Sequence, residues 1–494
     1  MEKEIIVIER FGEQQIAIIE NNKLAEFYID NQSEKNVIGN IYKCKVSKIV
    51  ESVSACFVEL NDEQNAYLYS KDISPKALNA SNLVSKNLYE KILIDYKNNH
   101  QNILNYIKPN DSLIVQGKRN SDSKKHPKVT CKIAIPGKYI VFLPFCSSIA
   151  ISKKIKDANK RKYLRDLGKT VCKDFGLIFR TSTVKTDEYL IIDEIEKMKK
   201  LWHDILSQFY SYPNKKMIYK APPLLQSLLT DFHYDEELKE IKVSSLDIYN
   251  DIISFCNQYI PNLKNKISLH LDKDLFEIYN INDELDKALQ SHIWLKSGSY
   301  IVFNQAEALT SIDINTGKFN SRKKADINMY SINLEAIKEI CRQIKIRNIG
   351  GIIIIDFLPM FSPLQFNKLF NKLKNELLKD KAKIRLSKDD NASLAIILRK
   401  KTRDSLSSIL SAKCPYCKGL GYIKSPNLIC RQIINQIITK NKFNTQLNII
   451  AHPSVISILS TIYSNTFDKI KKENNLSITL TPNSKFHINR YEIE

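Results

Sequence analysis

Glycine and proline are scarce in this chain, 12 and 15 of 494 residues, which excludes a collagen-like or low-complexity polypeptide. No apolar run approaches the roughly 20 residues a membrane helix requires. The nearest, around Tyr139 to Phe145, is broken by Pro144 and then by serines, so a soluble protein is expected. The start "MEKEIIVIER" mixes acidic and basic residues in a strand-like pattern, unlike a secretory signal or an Arg-rich, acid-poor transit peptide; the protein is expected to work where it is made. Its ten cysteines are scattered and one pair is closely spaced, which argues for a reducing compartment. Neither G-x-x-x-x-G-K-[ST] nor G-x-S-x-G occurs, so P-loop triphosphatase and serine hydrolase readings fall away. The eight histidines show no metal-ligand spacing.

What the chain has in excess is positive charge. Lys and Arg number 75 against 54 Asp and Glu, a net +21, a bias towards a polyanion or an anionic membrane. Hydrophobic residues make up 43%, enough for large cores, and the length predicts several compact units. The abundance of Lys, Asn and Ile suggests an AT-rich, reduced or organellar genome.

The opening "EIIVIERFGEQQIAIIENNKLAEFYID" reads as a hairpin and a third strand, broken at Gly12 and at Asn21-Asn22. Strands at Ile41–Val50, Ala55–Leu60, Ala66–Tyr69 and near Ser112–Lys118 suggest a small barrel such as an OB-fold, its surface carrying Phe57 and Tyr67. The stretch from about Asn120 to Pro213 reads as another β-rich module or a barrel insertion. From Pro223 to about Asn280 the pattern is mixed, with strands suited to completing the N-terminal hairpin. From Ser299, strands "SYIVFNQ", "ALTSIDI", "GIIIIDF" and "KIRLS" alternate with helices "SINLEAIKEICRQIKIRNI" and "SPLQFNKLFNKLKNELLKD", the pattern of an α/β layer.

Asp313 and Asp356 each end a strand of that layer, and in open α/β sheets the functional crevice lies beyond the carboxyl ends of strands. An ionised carboxylate withdrawn from water needs compensation, and two at one rim would suit a Mg²⁺ that keeps its waters and bridges to a phosphate. The alternative is that Asp313 caps the turn before "NTG" and Asp356 makes a cap-like contact before the helix at Ser362. "CPYCKGLGY" at Cys414–Tyr422 has the form of a zinc knuckle half-site; the alternative is a buried thiol pair or redox dithiol. Four ligands would require Cys430 and a histidine, or a second chain. "FRTST" sets Arg180 beside Thr181, a phosphate clamp or a surface salt bridge. Phe57 and Tyr67 could stack bases or simply be core or rim aromatics.

In order, the barrel, "FRTS", "ALTSIDINTGKF", "NLEAIKEICRQIKIRNIGGIIIIDF", "LRKKTRDSL" and "CPYCKGLG" resemble the ribonuclease E/G family from about Ile38 to Tyr422. The last two blocks look more like its cyanobacterial and plastid branch. The resemblance implies an α+β multidomain protein. An S1-type OB-fold barrel (38–119) and a 5′-sensor (120–215) would be inserted into an RNase H-like domain (1–37 and 216–285). A DNase I-like catalytic domain (286–408), a zinc-link (409–424) and a small helical C-terminal domain (425–494) would follow. It implies Mg²⁺ at Asp313 and Asp356, with Asn315 positioning the attacked phosphate or the water. Arg180 and Thr181 would sense a 5′-monophosphate, and Cys414 and Cys417 would share one Zn²⁺ between subunits of a dimer or tetramer. Phe57, Tyr67 and Lys118 would contact RNA. Where the family commonly reads "DFIDM" this chain has "DFLPM", so Pro359 removes a carboxylate and Asp356 must suffice.

The function so implied is a Mg²⁺-dependent endoribonuclease cutting single-stranded, A/U-rich RNA, in a plastid stroma or a bacterial cytoplasm. A non-catalytic RNA-binding protein that keeps the barrel is the alternative, against which both aspartates and Asn315 speak. A zinc-ribbon DNA-binding protein would need a second cysteine pair.

Overall fold

A computed structural model describes all of the chain except residues 1, 11, 31–35, 84, 99, 121–125, 173, 233–234, 272–273, 318–324, 361, 390–392, 402, 440–445 and 475. The basic segment 121–125, between the barrel strands, thus lies outside the described residues. The chain forms two compact units, Met1–Leu406 and Ser407–Glu494.

In the first unit, β1 (Lys3–Arg10), β2 (Glu13–Glu20) and β3 (Lys23–Asp30) form an antiparallel meander. Its runs are apolar on both faces because both are covered. Ile5, Val7, Ile16 and Ile18 pack with Leu229 and Ile252, whereas Ile6, Ile8, Ala17 and Ile19 pack with Phe276, Ile346 and Leu406.

Next, β4 (Ile41–Val50), β5 (Ala55–Glu59), β6 (Asn65–Tyr69), β7 (Ser112–Arg119) and β8 (Lys128–Thr130) close into a ring, β4-β5-β6-β8-β7, with β7 returning to β4. Only β6 and β8 run parallel. This is a closed five-stranded barrel of OB-like topology. The short fifth strand, which pattern reading did not reach, closes it.

The chain then forms a four-stranded sheet from β9 (Ile135–Pro136), β10 (Ile140–Leu143), β11 (Ile149–Ile151) and β12 (Gly176–Phe179), in order β11-β12-β10-β9. Helices Ala158–Val171 and Glu188–Ser211 accompany it, and its core is continuous with that of the barrel. β13 (Lys216–Tyr219) pairs back onto β4. Finally β14 (Leu238–Val243) pairs in parallel with β1, and β15 (Ile267–Leu269) with β14. The first sheet is therefore completed from more distant sequence, with residues 41–219 threaded between its halves.

The last sheet of this unit contains β16 (His292–Trp294), β17 (Tyr300–Gln305), β18 (Leu309–Asn315), β19 (Gly351–Asp356), β20 (Ile384–Asp389) and β21 (Leu394–Arg399), in order β16-β17-β18-β19-β21-β20. One pair, β18 and β19, is parallel; the rest are antiparallel. The expected strand–helix alternation is present, but β21 inserts between β19 and β20 and makes the sheet mixed. Helices Ala325–Ile346 and Pro363–Leu377 cover one face, with Ile312, Ile314, Ile353, Ile355 and Ile397 against Ile340, Leu369 and Leu373. The opposite face is open: Ile352 is 41% and Leu398 44% exposed.

The second unit pairs β22 (Gln446–Ala451) with β23 (Ser477–Pro482) in parallel and with β24 (Tyr491–Ile493) antiparallel. Its helices include Pro426–Thr439 and Pro453–Thr461. The small helical domain expected here also contains a sheet, which alternating residues such as Leu447, Ile449 and Ala451 build against the helices.

Candidate active site

The strand period of two decides where the carboxylates go. On β19, Ile353 and Ile355 point into the helix-covered core, so Asp356 falls on the open face with Ile352 and Ile354; on β18, Ile312 and Ile314 point inward and Asp313 outward. Parallel pairing sets Asp313 directly opposite Asp356. Both side chains are exposed, so the expectation that Asp356 leaves water is corrected: of the isoleucines before it, Ile353 and Ile355 serve the other face.

Asn315 lies one step further along the open face and donates from Nδ2 to Asp313 Oδ2 at 2.8 Å. Partial burial, and then the neighbouring Asp313 charge, push the Asp356 carboxyl above its ordinary value. Two carboxylates held side by side repel each other, and a divalent oxygen-seeking cation relieves that repulsion. The donor set thus fits Mg²⁺ held by Asp313 and Asp356. The N-cap position of the helix Pro363–Leu377 is Ser362, and among the described residues Asp356 makes no capping bond.

Residues that pattern reading passed over hold this face in shape. Asn333, fully buried, donates to Leu358 O at 3.0 Å and accepts from Leu358 N at 3.1 Å, which fixes the chain just past Asp356. Glu335 Oε1 accepts from Lys296 N at 2.9 Å and braces the β16–β17 turn. Gly317 (φ +64°) packs on that turn so closely that a Cβ would sit 2.3 Å from Gly298 O. Asn333→Ala removes both of the bonds that hold Leu358.

On the barrel, Phe57 and Tyr67 are a cross-strand pair, their rings 4.9 Å apart and edge-to-face. Tyr69 lies tilted 4.7 Å from Tyr67 and His126 lies 5.7 Å from Phe57, so the surface carries four rings rather than two. Lys118 pairs with Asp72 at 2.6 Å. Lys71 Nζ lies 5.6 Å from the Tyr69 ring, and Lys128 faces the aromatics more closely, its Nζ 4.1 Å from that ring. Its ammonium is held below the usual lysine value, by burial first and, against the pull of Asp72, by Lys118 and Lys71. Lys128 went unnoticed because it sits in a three-residue strand.

Arg180 bonds Gly137 O at 2.7 Å and ion-pairs with Asp231, 51 residues away. Thr181 shares a hydrogen bond with Ser152 at 3.1 Å. Arg180 and Thr181 are adjacent, as the sequence requires, and the guanidinium already has a carboxylate.

In the second unit, Cys414 is exposed and Cys417 half-buried. The amide of Gly421 donates to Cys417 Sγ at 3.3 Å; this bond, then those from Gly419, Cys414 and Leu420, against slight desolvation, lower its thiol below the ordinary value. The turn passes through positive φ at Lys418, Gly419 and Gly421, which aims amides at sulfur as a metal knuckle requires. Cys430 is fully buried among Ile429, Ile433 and Leu459 and bonds Val455 O. It is a core thiol. No group of three or more potential metal ligands occurs among the described residues.

No helix among the described residues is long and apolar enough to cross a membrane.

The model of the ribonuclease E/G family matches residues 134–402. Ribonuclease G of Haemophilus influenzae is 30% identical over 429 residues, 86% of this chain and 85% of that protein. Ribonuclease G of Escherichia coli K12 is 29% identical over 440 residues, 89% and 88% of the two chains. Ribonuclease E of the cyanobacterium Nostoc is 28% identical over 429 residues, covering 83% of this chain and 59% of its own length. The chain belongs to the ribonuclease E/G family, and with it to the endoribonucleases.

Proposed function

We propose that the chain is a Mg²⁺-dependent, single-strand-specific endonuclease that cuts A/U-rich RNA, leaves 5′-phosphate and 3′-hydroxyl ends, and is stimulated by a 5′-monophosphate. The observation that carries the reading is the in-register pair Asp313 and Asp356 on an open sheet face. Mg²⁺, when bound there, supplies Lewis-acid stabilisation of the phosphate and an activated water. Asp313 and Asp356 hold the cation, and Asn315, bonded to Asp313, orients the carboxylate and offers its remaining amide groups to phosphate or water. The Leu358 clamp keeps Asp356 from drifting. RNA reaches this face by way of the barrel rings and the net +21 charge. Incubating pure protein with 5′-monophosphorylated single-stranded RNA tests this: cleavage with Mg²⁺ and none with EDTA is expected.

In this reading the barrel is an S1-type domain, the 41–219 insertion includes the 5′-sensor, and the two-faced first sheet is RNase H-like. The six-stranded sheet is then DNase I-like. The wealth of Lys, Asn and Ile supports a plastid or another AT-rich genome as its source.

A terminal phosphate competes with Asp231 for Arg180. Charge-assisted bonds to it are worth about 1.5–3 kcal/mol, so a 5′-monophosphate should accelerate cleavage over a 5′-hydroxyl by about tenfold or more. Arg180→Ala should erase most of that ratio; a ratio unchanged in the variant assigns Arg180 to the Asp231 pair alone.

Cys414 and Cys417 supply half of a tetrahedral Zn²⁺ site, and with Cys430 in the core a two-fold related copy is the simplest source of the other half. About one zinc per two chains is expected, with Cys414→Ser or chelation giving smaller species in sedimentation. One zinc per chain, retained on dilution to monomer, would oppose the shared site.

A further inference from the structure

We propose that Trp294 and Tyr300 form a base-stacking platform beside the carboxylates, taking a base that flanks the scissile phosphate. This rests on the reading of Asp313 and Asp356 as the point of cleavage and extends it to what holds the substrate there.

Tyr300 pairs in register with Asn315, and Trp294 with Tyr300, so the three side chains lie in one row across the open face. With strands about 5 Å apart, Tyr300 stands about 5 Å and Trp294 about 10 Å from Asn315. That is the reach of one nucleotide from the metal-binding row. The Trp294 and Tyr300 rings are 5.1 Å apart, and His292 lies 5.8 Å from Tyr300. Trp294 is 69% exposed, a large flat apolar surface left in water next to the reacting groups.

The turn that joins the two rings is also held in shape. Leu295 N donates to Ser299 O at 2.8 Å and Gly298 N to Leu295 O at 3.1 Å, Ser299 is fully buried, Glu335 holds Lys296 N, and Gly317 packs against Gly298. A backbone fixed in advance loses little freedom when a base stacks on the ring it carries. Lys296, exposed beside Trp294, suits the adjoining phosphate. Every base has a π-face, so this platform positions RNA without reading its sequence. Two functions thus meet at Asn315: it borders the carboxylates along β18 and the aromatic row across the sheet.

The chain has two tryptophans, Trp202 and Trp294. Full-length protein carrying Trp202→Phe and Asp356→Asn reports Trp294 alone and is not expected to cut its ligand. Titration with a short, 5′-phosphorylated, A/U-rich single-stranded oligoribonucleotide should quench its fluorescence. In cleavage assays with Asp356 intact, Trp294→Ala should lower kcat/KM by about tenfold or more, whereas Trp294→Phe should retain most of it. An oligonucleotide made abasic on each side of the cut bond in turn should, at one position, reduce the wild type to the level of Trp294→Ala and leave that variant unaffected. Absence of quenching, full activity of Trp294→Ala, equal loss in the Ala and Phe variants, or no abasic effect would each overturn the platform. Failure of the wild type to cleave in Mg²⁺ would instead sink the reading of the carboxylates, a result that the binding titration, which needs no cleavage, keeps separate.

Discussion

Asp356→Asn should lower RNA cleavage by about a thousandfold or more, because a divalent cation contributes several kcal/mol of transition-state stabilisation. RNA affinity should stay near the wild-type value. On the proposed reading the two separate: binding would draw on counterion release by a chain of net charge +21 and on the Phe57, Tyr67 and Tyr69 rings, none of which Asp356 touches. Asp313→Asn should behave alike, since the two occupy one register position. Single-turnover cleavage and filter binding on the same 5′-phosphorylated RNA measure the two quantities. Wild-type cleavage by Asp356→Asn would refute the assignment.

The largest stability effect is expected at the ion pair of Arg399 and Asp380, whose side chains are 5% and 7% exposed. Arg399 Nε donates to Asp380 at 2.8 Å, and Nη1 donates to Asn348 Oδ1 at 3.0 Å and Ile349 O at 2.9 Å. Asn348 in turn donates to the carbonyls of Arg403 and Asp404. The pair thus ties β21 and the chain following it to the segment that enters β19. Asp380→Asn leaves a buried guanidinium without its counter-charge, a loss of about 3–5 kcal/mol. Urea unfolding followed by a tertiary-structure probe should show the midpoint fall with an unchanged slope. A shift equal to that of an exposed pair such as Lys197 and Asp193 would mean that water reaches Arg399.

These effects sort the motif residues by what they do. In "NLEA", Asn333 clamps Leu358, Glu335 holds the turn at Lys296, and Ala336 is fully buried. In "LRKKTRDSL", Arg399 is the buried ion-pair member, and Arg403 bonds Phe27 O and lies 3.5 Å over the Tyr28 ring. Asn333, Glu335, Arg399 and Arg403 thus serve as braces, while Leu398 of the second motif lies on the open face. Their distinctiveness in the sequence comes from holding together pieces remote along the chain.

Much of the architecture was legible because strand and helix periods are local. The apolar runs of β1 to β3, the first four barrel strands and the strand–helix alternation after Ser299 could be read from neighbouring residues. So could Asp313 and Asp356, since a carboxylate ending an isoleucine run stands out. By itself the sequence determined the element types, the basic surface, the spacing of the knuckle cysteines and the residue types available for chemistry.

Only the tertiary structure decided which groups meet and which face they occupy. Asp313 and Asp356 share a register position because β18 and β19 pair in parallel, and they face water because the helices cover the opposite side. Lys118 is drawn to Asp72 and Arg180 to Asp231 by partners far along the chain, and β8 is recognisable only once β6 and β7 flank it. Trp294 shows the same limit: within a three-residue strand it has no periodicity, and its place in the row that leads through Tyr300 to Asn315 arises from hydrogen bonding across two strand pairs. Pairing between distant strands depends on the packing of the whole sheet, and local pattern carries no record of it.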